Sequence, residues 1–269
     1  MSLLSSIMES ILSVFGNPLY FKAVMYVFLG LGASIFILLF FITAPYGRHR
    51  RKGWGPTLDD RVAWIIMEFP SALLMAIYFF GSERIKDPVF IVFIAIFEIH
   101  YIHRALIYPW MLRGRKKMPA LIMLFGVTFN LFNTYIQGIW LFYLVPEDMY
   151  TSAWFYSPQF IVGTIIFVAG FFINKQSDHI LRNLREKGAT DGYKIPYGGM
   201  FKYVSSPNYL GEIMEWIGWA ILTWSVPGLV FALWTFFNLA PRARAHHKWY
   251  QEKFSNYPNN RKALIPFLF

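Results

Sequence analysis

The chain has 269 residues, of which 56% are hydrophobic and 20% aromatic, a balance outside that of a soluble domain and ample for several membrane-spanning helices. Its formal net charge of +10 raises nucleic acid as a partner, but the basic residues are spread among the connections between apolar runs and form no single patch, so nucleic acid binding is unnecessary. Cysteine is absent, which excludes disulfides, thiolate catalysis and cysteine-ligated zinc or iron–sulfur sites.

In chain order, "MSLLSSIMESILSVF" is amphipathic and lacks both a basic leader and an A-x-A cleavage site, so it reads as a short interfacial helix before the first span. A bilayer core takes about 20 mostly apolar residues per helix. Runs at 19–43, 62–80, 89–112, 120–145, 158–173, 209–224 and 226–239 supply candidates, the last two sharing Ser225, Val226 and Pro227 as their turn. The basic segments "GRHRRK", "RGRKK", "HILRNLREK" and "RARAHHK" fall on one face of the membrane if all seven runs cross, whereas "VPEDMYTSA" on the other face is acidic. The positive-inside bias then puts the N-terminus outside and the C-terminus in the cytoplasm. With no internal repeat or linker, the expected architecture is one domain, residues 1–269, of all-α integral-membrane class. It has seven transmembrane helices and a structured cytoplasmic loop between spans five and six.

Ionisable groups inside spans are costly and mark function unless a partner neutralises them. Span two carries Glu68 in "WIIMEFPS", and span three carries Glu98, His100, Tyr101, His103 and Arg104 in "FEIHYIHRALIY". Helical spacing puts Glu98 with Tyr101 on one face and His100 with Arg104 on another. Asn130, Asn133 and Gln137 form a stripe on span four that fits equally a hydrogen-bond seam holding helices together. Glu98 and Arg104 fit a structural ion pair with other spans. "HYIHR" places two histidines at i and i+3 without a third ligand, so no metal site is expected.

Span six presents Asn208, Glu212 and Glu215 at i, i+4 and i+7, with Ser206 and Pro207 placed as N-cap and first helical residue. Two carboxylates one turn apart repel unless they face donors. Before them, the segment 174–207 contains "SDHILRNLREKG", read as a short basic helix ending at Gly188, and "GYKIPYGGMFKYV", read as a loop with glycine turns. So long a segment with aromatic anchors suits a lid or cofactor floor, and with Arg115 and the tail arginines it supplies an anion cradle. The near miss "GLGASI" lies inside span one, and no Walker lysine occurs, so a nucleotide would bind within the helical bundle.

"GYKIPYGGMFKYVSSPNYLGEIMEWIGWA" and the ending "NNRKALIPFLF" resemble the steroid 5α-reductases, NADPH-dependent 3-oxo-5α-steroid 4-dehydrogenases. The likeness extends through "APYGRH", "AWIIMEFPS", "HYIHRALIYPWMLRGRKKMPA", "INKQSDHILRNLR" and "RARAHHKWYQEKF", nearly everything after the first span. It implies NADPH held from the cytoplasmic side and a lipophilic Δ4-3-ketosteroid entering from the bilayer, in the bacterial inner membrane or the endoplasmic reticulum. A monomer among membrane lipids is expected.

By this resemblance Tyr101 donates to the C3 carbonyl and Glu68 pairs with it. Hydride addition to an enone drives negative charge onto that oxygen, so a preorganised donor lowers the barrier. Asn208 and Glu212 match cofactor positions near the nicotinamide and ribose. Asn174, Asp178, Arg185, Arg115, Arg242, His246 and Tyr250 match further cofactor positions, and Arg48 and His49 flank the pocket entrance. Three departures stand out: Met67 at a substrate position where mammalian enzymes have glutamine, Leu112 for an asparagine near the phosphates, and Glu98 where no acid is found. Reductases of another lipid enone, enoyl-CoA or polyprenol and a membrane lipid methyltransferase are the competing readings; Glu215 followed by Trp216 favours the steroid type.

Overall fold

The computed structural model describes residues 12–45, 49, 51, 53–113, 117–184 and 193–269. Helices occupy every apolar run: α1 (Pro18–Phe41), α2 (Asp60–Phe80), α3 (Pro88–Met111), α4 (Ala120–Leu144), α5 (Pro158–Asn183), α6 (Pro207–Thr223) and α7 (Val226–Lys253). Of these, α1 to α5 are long and apolar enough to cross a bilayer, making this a multi-pass, mostly helical integral membrane protein. Their outward faces carry large apolar side chains that water would penalise, such as Phe41 at 82% and Phe172 at 66% exposure.

Several boundaries differ from the sequence reading, each for a local reason. The basic segment after span five does not start a new helix. Nothing between Ile173 and Asn183 breaks the helical hydrogen-bond ladder, so α5 runs on through it and carries Asn174 and Asp178 on the same helix as span five. Gly188, where that helix was expected to end, lies outside the described residues. Helix α7 likewise continues past its apolar half to Lys253, through Pro241. The α6–α7 turn is shorter than expected. Trp224 takes the left-handed conformation (φ 44°) and Ser225 caps α7 by accepting from the Gly228 amide, so Val226 and Pro227 are already helical.

Two short strands, β1 (Thr57–Asp59) and β2 (Lys117–Pro119), pair antiparallel and join the starts of α2 and α4 in an otherwise helical chain. Helices α3 and α4 each contain one π turn, at His103–Ile107 and Trp140–Leu144. Such insertions rotate the following side chains and are frequent at functional sites. Of the expected N-terminal helix, residues 12–15 are helical and the rest lie outside the described residues.

The chain divides into two compact units. The first comprises residues 1–30, Pro45–Met111 and Lys116–Phe160, and its core packs Phe90, Phe93 and Tyr150 edge to face, with Phe142 tilted against Phe90. The second comprises Leu31–Ala44, Leu112–Arg115 and Ile161–Phe269, centred on Trp216 with its ring 4.1 Å from that of Phe231.

Candidate active site

In the first unit the polar residues of three helices meet. Tyr101 of α3 is 2% exposed, held by the ring of Phe97 one turn earlier at 4.6 Å. Asn133 of α4, fully buried, donates from Nδ2 to the Tyr101 hydroxyl oxygen at 3.4 Å. One turn earlier Asn130 donates from Nδ2 to Glu68 Oε2 of α2 at 3.2 Å and to the Met67 carbonyl at 2.6 Å. The asparagine stripe is therefore not only a seam between helices: its amides serve the two residues singled out for carbonyl chemistry. In each asparagine the Oδ1 atom is buried and accepts from no protein group.

Met67 turns its side chain into a small cluster with Ala63, Met118 and Met123. A Cβ on Gly126 would strike its sulfur, so the missing glycine side chain is what makes room for it. Arg104 lies over the rings of Trp64 at 4.7 Å and Tyr108 at 5.0 Å, a cation–π seat that links α3 to α2. Glu98 is half-buried, and its Oε1 receives no hydrogen bond.

In the second unit a different device gathers the candidates. Gly163 and Gly170 of α5 face Gly218 and Gly211 of α6, and an added Cβ on Gly170 would lie 2.6 Å from the Gly211 carbonyl and the Glu215 amide. The glycines let two backbones touch. That closeness allows Asn174 Nδ2 to donate to the Asn208 carbonyl at 2.9 Å, and Asn208 Nδ2 in turn reaches Asp178 Oδ1 at 3.4 Å. Asn174, Asp178 and Asn208 are thus brought together, as their sequence spacing alone could not show. Glu212 is half-buried on the same α6 face, while Glu215 is fully buried beneath it. Ser206 is at the N-cap as expected, yet its hydroxyl, like Asn174 Oδ1, is buried without a hydrogen bond from the protein.

Helix α7 adds Arg242 and His246, which bracket Tyr209 of α6: the guanidinium lies 5.4 Å from the ring centre and the imidazole ring 5.4 Å from it. Burial pulls Arg242 down to about 9, because the interior solvates its charge poorly. An anion beside it would offset that cost. Tyr250 sits elsewhere, in a buried stack on Tyr257 with ring centres 5.2 Å apart. Arg48, Arg115 and Arg185 lie outside the described residues, and His49 is half-buried.

Sequence reasoning missed a further polar knot before α6. Ser205 Oγ contacts His247 Nδ1 at 2.6 Å, the Tyr257 hydroxyl at 2.7 Å and the Lys262 carbonyl at 3.2 Å. The bridge between Val204 and Lys262 ties the last residues to the α6 entry. Only the heptad spacing of the glycines was available as a signal, and nothing in the sequence pairs Ser205 with His247.

The family model described as 3-oxo-5-alpha-steroid 4-dehydrogenase matches residues 116–269. The chain is 46% identical to 3-oxo-5-alpha-steroid 4-dehydrogenase 1 of Macaca fascicularis, over 83% of this chain and 84% of the relative. It is 41% identical to the Bos taurus protein of the same name over 91% of this chain and 96% of the relative. With steroid 5-alpha-reductase DET2 of Arabidopsis thaliana it shares 42% identity over 88% and 92%.

Proposed function

Because the chain belongs to the 3-oxo-5-alpha-steroid 4-dehydrogenase family, oxidoreductases acting on CH–CH groups, we propose that it reduces the Δ4 double bond of 3-oxo-Δ4-steroids with NADPH, giving 5α-3-oxosteroids. The observation that carries this reading is the set of hydrogen bonds by which Asn130 and Asn133, both buried, reach half-buried Glu68 and buried Tyr101 in the first unit. An enone oxygen gains negative charge as C5 is attacked, and a fixed hydroxyl in a dry site stabilises that charge far better than water does. Tyr101 is the donor: its ring is clamped by Phe97, and its oxygen accepts from Asn133, so that asparagine does not take the phenolic hydrogen. Glu68, fixed by Asn130, is the partner that holds or shares the proton with Tyr101. A proton delivered to C4 completes the reduction.

The donor set of the second unit fits a dinucleotide. Asn174 Oδ1 and Ser206 Oγ are buried polar atoms with no protein hydrogen bond, and Arg242 is a half-buried cation. On this reading Asn174, Asp178, Asn208 and Glu212 hold the nicotinamide and ribose part, and Arg242 and His246 meet phosphate, where a guanidinium pairs bidentately. Arg115 and Arg185 complete the phosphate set and Tyr250 supports it through its stack. When bound, NADPH supplies the hydride that adds at C5.

The test is turnover of testosterone or progesterone by detergent-purified protein with NADPH, following the 5α-reduced product, beside Tyr101→Phe and Glu68→Gln. Product from wild type and a loss of about a hundredfold or more in either variant is expected. NADPH binding without product moves the reading to another enone or an enoyl substrate, and absence of NADPH binding sinks it.

For topology we infer seven crossings with the N-terminus outside, since α6 and the apolar half of α7 continue the alternation that puts the basic segments on one side. The cysteine-free chain is a ready background for mapping. Ser13→Cys should react with an impermeant maleimide from outside, and Ser255→Cys only after the membrane is opened. The reverse pattern would overturn the orientation.

A further inference from the structure

We propose that Asn133 is a positioning residue for Tyr101, fixing the direction in which the phenol gives its proton; this rests on the reduction proposed above. A phenol has one hydrogen and two lone pairs, and the same hydroxyl can be donor or acceptor toward a neighbour. Only one of these states suits an enone, because a tyrosine that spends its hydrogen on a helix neighbour has none for the carbonyl. Asn133 Nδ2 lies 3.4 Å from the Tyr101 oxygen in a fully buried setting, so that oxygen accepts from α4 and its hydrogen is directed elsewhere.

A donated hydrogen bond also withdraws charge from the phenolic oxygen and makes the hydroxyl a stronger donor, an effect that grows in a low-dielectric interior. Asn130, at i−3 on the same helix, does the corresponding work for Glu68. Its amide orientation is fixed independently, because the Met67 carbonyl at 2.6 Å can only accept. One α4 face thus presents two amide donors, one to each member of the Glu68 and Tyr101 pair. Helix α4 continues into the π turn at Trp140–Leu144 only after Gln137, so 130 and 133 keep regular helical spacing.

The experiment is a double-mutant cycle on detergent-purified full-length protein at saturating NADPH with progesterone. It compares wild type, Asn133→Leu, Tyr101→Phe and the double variant, reading kcat, KM, NADPH affinity and apparent Tm. Leucine is close to asparagine in shape and suits a membrane helix. Asn133→Leu should lower kcat about tenfold, the scale of one lost hydrogen bond to the reacting group. KM should change less than threefold and NADPH affinity not at all. In the Tyr101→Phe background the same change should cost nothing further, since the atom it acts through is gone.

If Asn133→Leu does not fold, Asn133→Ser, whose hydroxyl is too short to reach Tyr101, carries the same cycle. Losses that multiply in the double variant, or a loss confined to KM or Tm, overturn the inference and leave Asn133 as helix packing. Absence of turnover by wild type with every 3-oxo-Δ4-steroid overturns the underlying reading and this inference with it. The two failures are therefore distinguishable.

Discussion

The two compact units meet the same difficulty, polar groups in an apolar interior, by different means. In the first, the partners are side chains: asparagines of α4 reach across to Glu68 of α2 and Tyr101 of α3, and each bond depends on one amide. In the second, the partners come from the backbone, because glycines of α5 and α6 bring Asn174 within reach of the Asn208 carbonyl. Changing a donor should alter chemistry in the first unit while leaving the fold, whereas changing a glycine should alter distances and binding in the second. A side-chain network is local; a backbone contact is shared by every residue on the crossing.

The sharpest way to break this contrast is Tyr101→Phe. It removes one hydroxyl and none of the ring packing with Phe97, so turnover should fall by about 100- to 1000-fold while NADPH affinity and apparent Tm hold. Equal losses in NADPH binding would mean that the two units do not divide the work. Next in size is Arg242→Gln, which on the proposed reading removes a charge-assisted contact of about 1.5 to 3 kcal/mol and should weaken NADPH about 10- to 100-fold. Titration of cofactor fluorescence checks it. Here the folded protein itself loses little, since a half-buried cation whose pKa is pulled down to about 9 is replaced by a neutral amide.

Gly170→Leu tests the backbone side of the comparison. Its Cβ would already sit 2.6 Å from the Gly211 carbonyl, so α5 and α6 must part. A cost of about 1 to 3 kcal/mol in stability is expected, with a parallel loss of NADPH affinity as Asn174 leaves Asn208. A variant with lower Tm but unchanged NADPH binding would separate the crossing from the cofactor site.

These contrasts also show what could be read from the chain. Among the described residues every apolar run holds a helix, because the length and composition of such a run are properties of the sequence itself. Glu68, Tyr101 and Asn208 stood out because polar atoms are costly there. What could not be read was pairing between helices: the asparagine stripe was visible, but whether it served packing or Tyr101 depends on the rotation of three helices. The continuation of α5 through Asp178 was hidden for another reason, since the change from apolar to basic residues looks like a boundary and the hydrogen-bond ladder ignores it.

The smallest predicted effect concerns the Ser205 knot in the second unit, where that unit relies on side chains as the first does. Burial, and then the nearby Lys262 charge, push the His247 pKa below its ordinary value of 6.5. The folded chain therefore favours neutral imidazole, and the unfolded chain binds the proton more readily. Stability from this group is complete above the unfolded value and is lost as pH falls through the folded one. Apparent Tm should drop on acidification from pH 7.5, and His247→Gln should drop less than wild type, by roughly 1 to 3 °C. Ser205→Ala removes the hydroxyl that His247 and Tyr257 share, so it should lower Tm at neutral pH and flatten the same pH dependence. If wild type and both variants fall in parallel with pH, the sensitivity lies in other groups, and the knot only ties the tail to the start of α6.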